Sequence, residues 1–315
     1  MWQITCLGTR ADAPPGVSKG MNEQTGEVAV ADALSCDLAT GMCGVGVEGS
    51  QRVTVTYVTD PICSACWAME PAWRSVAFTF GDLLDVRHVY GGLLPSWDGF
   101  ADAGNGIRGH QDVAHHWREM AEQTGQAMNV SVWEDDPIAS SYPSSMVLTA
   151  ARDTAPERDG LMLRRLREEL FVRGRNISHP EVWTDAAERA GIDPREIQER
   201  LDDGRARELF VADLQTARAL GATAFPTLIV EAGGDRRTLR GVQRPERLAQ
   251  VIGDAAGVQR GPSSATMDEA VAFLDVGTTA EYAALLGTTT ELAVAALEAV
   301  GLRMRQLPGG AVWKP

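Results

Sequence analysis

The segment Val53-Thr54-Val55-Thr56-Tyr57-Val58-Thr59-Asp60-Pro61-Ile62-Cys63-Ser64-Ala65-Cys66-Trp67 decides how the chain is read. Val53–Val58 alternates in the manner of a β-strand, and Thr59-Asp60-Pro61 ends it, because proline brings no N–H to a sheet and aspartate favours turns. Beyond Cys63, the placing of Trp67, Trp73 and Val76 predicts a helix to about Phe80 with a kink at Pro71. Two cysteines three positions apart therefore stand where a strand hands over to a helix. Unpaired N–H groups and the positive end of the helix dipole favour an anion there, so Cys63 is placed to react as a thiolate. Cys66, one turn on, is placed to resolve a mixed disulfide. Two other uses of Cys63 and Cys66 stay open: half of a zinc site, which needs four ligands when structural, and an inactive marker of the fold.

Working outward, Asp85–Tyr90 reads as a second strand closed by Gly91-Gly92. Residues 110–220 are mostly helical, clearest over 110–124, 144–153, 159–173, 180–190 and 204–220. Strand character returns at Thr227–Val230, a turn at Gly233-Gly234-Asp235 leads to a short strand near Thr238–Arg240, and Pro245–Ala256 closes as a helix. Strand, helix, strand, helical block, strand, strand, helix is the α/β order of a thioredoxin fold with a large helical insertion, about 100–222. Four parts are expected: a leader over 1–50, this domain over 51–256, a linker over 257–266, and a small winged-helix-like domain over 267–315 made of three helices and a hairpin. Immediately before the third strand stands Ala224-Phe225-Pro226-Thr227. In thioredoxin folds a cis-proline there lies against the cysteine pair and offers a strand edge to a substrate chain; in the chain a cis X–Pro bond costs only about 0.5–1 kcal/mol.

Composition removes several function classes. The 315 residues carry 29 Lys+Arg against 43 Asp+Glu, a net charge of −14, which disfavours nucleic acid and anionic membrane surfaces as partners. The lysines are Lys19 and Lys314 alone, and no phosphate-cradling G-x-x-x-x-G-K-[ST] occurs. The tail carries Asp268, Glu269, Asp275, Glu281, Glu291 and Glu298 against Arg303, Arg305 and Lys314, so a DNA-reading helix is not expected. Packing on the main domain, pairing two chains as a homodimer, or binding a protein are its open uses. No run of 18 apolar residues occurs and the start lacks the pattern of a secretion signal, so a cytoplasmic location is expected. The cysteines are Cys6, Cys36, Cys43, Cys63 and Cys66, an odd and low number that suits chemistry in a reducing compartment better than a disulfide scaffold. Asp37 and Gly41 suit a turn that brings Cys36 and Cys43 together, as a redox relay, a separate disulfide or an exposed pair. His110, His115 and His116 read as a solvated helix face. Trp97, after Gly91-Gly92 and Pro95, is either core or a lining of the substrate groove.

Thr59-Asp-Pro-Ile-Cys-Ser-Ala-Cys-Trp-Ala-Met-Glu-Pro71, Tyr90-Gly-Gly-Leu-Leu-Pro95, Asp136-Pro-Ile, Ser141-Tyr-Pro143 and Phe225-Pro226-Thr227 together resemble the cytoplasmic DsbA-like group. That group holds FrnE-type oxidoreductases and YjbH/SpxH-type adaptors of the ClpXP protease; the resemblance covers about 50–256, and Cys36 to Cys43 also looks like a leader seen in some relatives. It implies Cys63 as nucleophile, Cys66 as resolving thiol and Pro226 as the substrate-facing cis-proline. One departure stands out: where classical members bury a carboxylate six positions before the first cysteine, this chain has Tyr57, with Asp60 either its substitute or a turn residue. The expected activity is thiol–disulfide exchange on protein or peptide substrates laid along Phe225–Thr227, with Trp97 beside them. No metal or cofactor is expected beyond the cysteines, and thioredoxin or a low-molecular-weight thiol would be the redox partner. A client-binding protease adaptor and a thiol-dependent enzyme of small molecules are the alternatives.

Overall fold

The computed structural model describes residues 50–261 and 263–315 and, as backbone alone, two short antiparallel strands, β1 (Leu34–Asp37) and β2 (Met42–Val45), whose register pairs position 36 with position 43. The central sheet has the order β4-β3-β5-β6. Strand β3 (Val53–Thr59) runs parallel to β4 (Leu84–Tyr90) and antiparallel to β5 (Thr227–Ala232), which forms a hairpin with β6 (Asp235–Arg240). The hairpin turns on Gly233 and Gly234, both at positive φ, the backbone that suits the twist of two tightly joined strands. Between β3 and β4 lie α1 (Ser64–Ala68) and α2 (Glu70–Phe80). The break between them falls where Pro71 has no N–H to return to the preceding turn.

The insertion comprises α3 (His110–Thr124), α4 (Val132–Asp135), α5 (Tyr142–Thr154), α6 (Asp159–Arg167), α7 (Pro180–Ala190), α8 (Pro194–Asp202) and α9 (Arg205–Ala219); α6 runs on into a π-helical turn over Glu168–Val172. Helix α8 has Asp193 as its N-cap and Pro194 at its first position, a start signal present in the sequence. Helix α10 (Pro245–Ala256) covers the other face of the sheet with α2, burying Val53, Val55, Val76, Leu228 and Ile252 in one core. A second core joins the insertion to the cysteine helix through Trp67, Trp117, Trp133 and Phe171.

Residues 257–261 and 263–266 are docked along the protein. Arg260 donates to the Thr79 carbonyl (2.7 Å) and the Asp82 carboxylate (2.9 Å), and Val258 and Ala265 are buried. The C-terminal module follows, with α11 (Met267–Leu274), α12 (Thr279–Leu286) and α13 (Thr290–Ala299) beside the sheet β7-β9-β8, formed by Gly277–Thr278, Gly310–Lys314 and Arg303–Leu307 respectively. Phe78 of α2 meets Phe273 of α11 edge to face at 5.5 Å. The turn between β8 and β9 seats Gly309, at φ +80°, where a Cβ would lie 2.5 Å from the Ala121 carbonyl oxygen. The module packs on the main domain through these contacts.

Edge strand β4 is secured from the insertion. Buried Asp213 of α9 accepts from the Tyr90 N–H (2.9 Å) and takes both arms of Arg152 (3.0 Å each). Asp213→Ala strands the Tyr90 N–H and leaves the half-buried Arg152 without its carboxylate, so it should cost about 3 kcal/mol of stability. Urea unfolding monitored by tryptophan fluorescence checks this; a change under 1 kcal/mol would show that the strand needs no such anchor.

Candidate functional site

Strand β3 delivers Thr59 to the end of the sheet, and the turn Asp60-Pro61-Ile62 reverses the chain into α1. Cys63 is the N-cap of that helix: its Sγ accepts from the Cys66 N–H at 3.2 Å. Both cysteines are buried, in an apolar cluster with Val58, Val89, Ala217 and Phe225. Phe225 fits beside them because Gly91 has no side chain; a Cβ there would stand 2.1 Å from its ring. The Phe225–Pro226 peptide is cis, and Thr227 pairs in register with Val58, which brings the 225–227 edge to the level of the cysteine turn. Thr227 is itself held by its hydroxyl donating to the Ala224 carbonyl at 2.7 Å.

Asp60 is wholly buried and serves as a staple. Its carboxylate accepts from the Ile62 N–H (3.0 Å), the Leu93 N–H (2.7 Å) and the Ser141 hydroxyl (2.9 Å), tying the cysteine turn to the 91–95 loop and to α5. Burial raises its carboxyl above the ordinary value against these hydrogen bonds. Tyr57 is likewise buried, and burial first, then the nearby sulfurs and Glu70, keep its phenol far above its usual range and therefore neutral.

The charge facing the cysteines is a cation that sequence reading did not single out. Arg167 of α6 is completely buried; it donates to Glu70 Oε1 (2.8 Å), the Thr59 hydroxyl (2.5 Å) and the Asp60 carbonyl (3.3 Å). Burial pushes the Cys66 thiol up, but the Cys63 hydrogen bond, the Arg167 charge and hydrogen bonds from Thr59 and the Asp60 backbone outweigh it and bring the thiol below its ordinary value. Two sulfurs this close ionise as a pair, so the first proton lost belongs to both. Glu70 is the counter-charge: burial raises its carboxyl, yet Arg74, Arg164 and Arg167 together hold it down to about 2. An arginine followed by two glutamates on an insertion helix reads as a solvated face in one dimension, which is why Arg167 carries no signal.

Beside the cysteine turn opens a narrow cleft of about 40 Å³, walled by Ile62, Leu94, Trp97, Phe100, Trp117 and Trp133. Trp97 belongs to this wall and is fixed by its indole N–H on the Ile138 carbonyl at 2.9 Å. His116 corrects the expectation of a solvated face. His115 on the same helix is exposed, but His116 is buried and its Nε2 lies 3.3 Å from the Ser64 hydroxyl, next to Cys63. A helical period places one histidine outward and its neighbour inward. Cys6 lies outside the described residues, as do the side chains of Cys36 and Cys43 on which the relay reading depends. Among the described residues no group of three or more His, Cys, Asp or Glu is arranged to hold a metal ion.

Burial holds the His116 imidazole below its ordinary 6.5, so the folded protein binds fewer protons than the unfolded chain just below that pH. Stability should therefore fall as the pH drops through about 6.5. Denaturant unfolding of the native protein and of His116→Gln at pH 7.5 and 5.5 checks this; the glutamine variant should lose less on acidification, and equal losses would remove His116 from the account.

The family described as Thioredoxin matches residues 57–239, more than half of the chain, and the chain belongs to it. The ClpXP adapter protein SpxH of Halalkalibacterium halodurans is 28% identical over 202 residues, 62% of this chain and 66% of that protein. Against its curated relatives the chain matches between about half and two thirds of their length. A putative protein disulfide isomerase from Nitrosomonas europaea superimposes with a TM-score of 0.54 at 20% identity, covering 65% of this chain and 97% of that one. A probable DsbA oxidoreductase from Streptomyces coelicolor gives 0.52 at 22% identity, covering 68% and 94%. The structural similarities place the chain in the DsbA-like thioredoxin fold.

Proposed function

Starting from that membership, we propose that the protein is a thiol–disulfide oxidoreductase acting on protein or peptide substrates, with Cys63 as nucleophile and Cys66 as resolving thiol. The observation that carries this reading is the cysteine pair held at a helix N-terminus beside a buried arginine, an environment that favours the thiolate. The Cys63 thiolate attacks one sulfur of a substrate disulfide; the S–S bond breaks and the other substrate sulfur leaves as a thiolate that takes up a proton. Cys66, deprotonated, then attacks the Cys63 sulfur, releases the second substrate thiol and leaves a Cys63–Cys66 disulfide. Two electrons have passed to the substrate, and an external dithiol such as thioredoxin, or two low-molecular-weight thiols, restores the pair. Run backwards, the same steps oxidise a substrate dithiol.

The edge at Phe225-Pro226-Thr227 supports the substrate backbone by strand addition, and the cleft at Trp97 takes an apolar side chain next to its cysteine. Because both sulfurs are buried, a substrate reaches Cys63 only as the groups packed over it move aside. The proposed setting is the cytoplasm; among the described residues no helix is long and apolar enough to cross a membrane. The SpxH relatives favour one second reading, that the chain binds a client protein for a protease and uses the cysteines as a sensor.

Redox titration against glutathione buffers with mass-spectrometric mapping separates the two. Reversible Cys63–Cys66 pairing with a potential between about −270 and −120 mV is expected. Cys63→Ser should abolish exchange, and Cys66→Ser should accumulate a mixed disulfide through Cys63. An inert pair, together with client binding that survives serine at both positions, would overturn the oxidoreductase in favour of the adaptor.

A further inference from the structure

Helix α12 lies against α2, the helix that carries Glu70, and places one carboxylate at the end of the buried charge network. Glu281 is fully buried and its position is set by its own helix start. Its Oε2 accepts from the Thr278 N–H (2.8 Å) while the Thr278 hydroxyl accepts from the Glu281 N–H (3.2 Å), a reciprocal cap. The Thr278 hydroxyl in turn donates to Gln126 at 2.7 Å, pinning this start to the insertion. Glu281 takes the fork of Arg164, through Nη1 and, at 3.1 Å, Nη2. Arg164 also donates through Nε to Glu168 (2.9 Å) and reaches Glu70 Oε2 only at 3.3 Å, while its guanidinium lies 4.9 Å over the ring of Trp67, the residue after Cys66. Glu70 thus keeps its closer hydrogen bonds for Arg74, on Oε2 at 2.7 Å, and for Arg167, on Oε1 at 2.8 Å.

We propose that Glu281 of the C-terminal module is a positioning residue for the Cys63–Cys66 pair, deciding through Arg164 and Glu70 how much of the Arg167 charge reaches the sulfurs. The inference rests on the redox reading of that pair. The charged and titratable groups around the sulfurs are Tyr57 from β3, Asp60 from the turn, Glu70 from α2, Arg167 from α6 and, through Ser64, His116 from α3. Neutralising Glu281 acts on them in one direction. It removes a negative charge from the network, and it releases Arg164 to pair with Glu70, which loosens the hold of Glu70 on Arg167. Both changes favour the thiolate. Neutralising Arg167 acts in the opposite direction.

The test is the pH profile of iodoacetamide alkylation of the reduced full-length protein, with Cys63 and Cys66 followed by mass spectrometry and folding checked by thermal melting. In Glu281→Gln, which keeps an oxygen for the Thr278 cap, the midpoint should move down by about half a unit, so alkylation below the midpoint quickens about threefold. In Arg167→Met it should move up by about one unit, with about tenfold slower alkylation. A merely loosened structure would move both variants the same way. If the glutamine variant does not fold, Glu281→Asp, which withdraws the carboxylate from Arg164, must shift the profile downward as well. An unchanged midpoint, or a shift in the same direction as Arg167→Met, overturns the proposal. Failure of the wild-type pair to exchange with glutathione would instead overturn the redox reading, whatever the alkylation profiles show.

Discussion

A guanidinium sealed from water has to be neutralised where it lies, because an unpaired buried ion costs several kcal/mol. Arg167 meets that requirement with Glu70, and Glu70 is shared in turn with Arg74 and Arg164. Arg164 leans on Glu168 and Glu281. One cation beneath the cysteines thus commits five elements, α1, α2, the insertion helix α6, its π-helical turn and the C-terminal α12, to a single mutual arrangement. Apolar residues of similar volume would hold these helices together about as well. What the ions supply, and hydrocarbon could not, is a positive potential at a chosen point inside the protein.

The use of arginine throughout follows from this task. A guanidinium offers five N–H donors in a rigid plane, so it can serve two or three carboxylates at once and stay charged at any pH the protein meets. Arg164 does so, reaching Glu70, Glu168 and Glu281 together and spending a further N–H on the Val276 carbonyl. A lysine at that position would hold one partner well and leave the others unpaired in the interior.

The insertion is also more than a lid of helices on a small fold. The β3–α1–β4 core supplies the cysteines, the helix end and Tyr57, Thr59, Asp60 and Glu70 around them, while the insertion adds Arg167, His116 by way of Ser64, and Ser141 by way of Asp60. Asp60 stands in the turn as a carboxylate close in sequence to Cys63, yet its oxygens are spent on Ile62, Leu93 and Ser141. It holds the loop in place. The electrostatic setting of the sulfurs therefore comes from a residue about a hundred positions away in the chain, which places it beyond local inspection.

What could be read from the chain alone was whatever depends on local rules. Alternation in Val53–Val58, the break at Pro71, the glycine pair at 233–234, the capping residues and the cysteine spacing each act over a few residues, and each marks its element. The order of those elements was enough for the fold class, and Cys63, Cys66 and the Phe225–Thr227 edge follow from their places in it. Composition marks 257–266 as a linker but does not show where it runs; Arg260, on the Thr79 carbonyl and the Asp82 carboxylate, ties it to the protein. His116 next to an exposed His115, and Arg167 next to Glu168, look alike in one dimension. Only tertiary packing decided which side of each helix faces inward, because burial and Coulomb interaction depend on distance in space, and the groups that neutralise Arg167 are drawn from helices far apart in the chain.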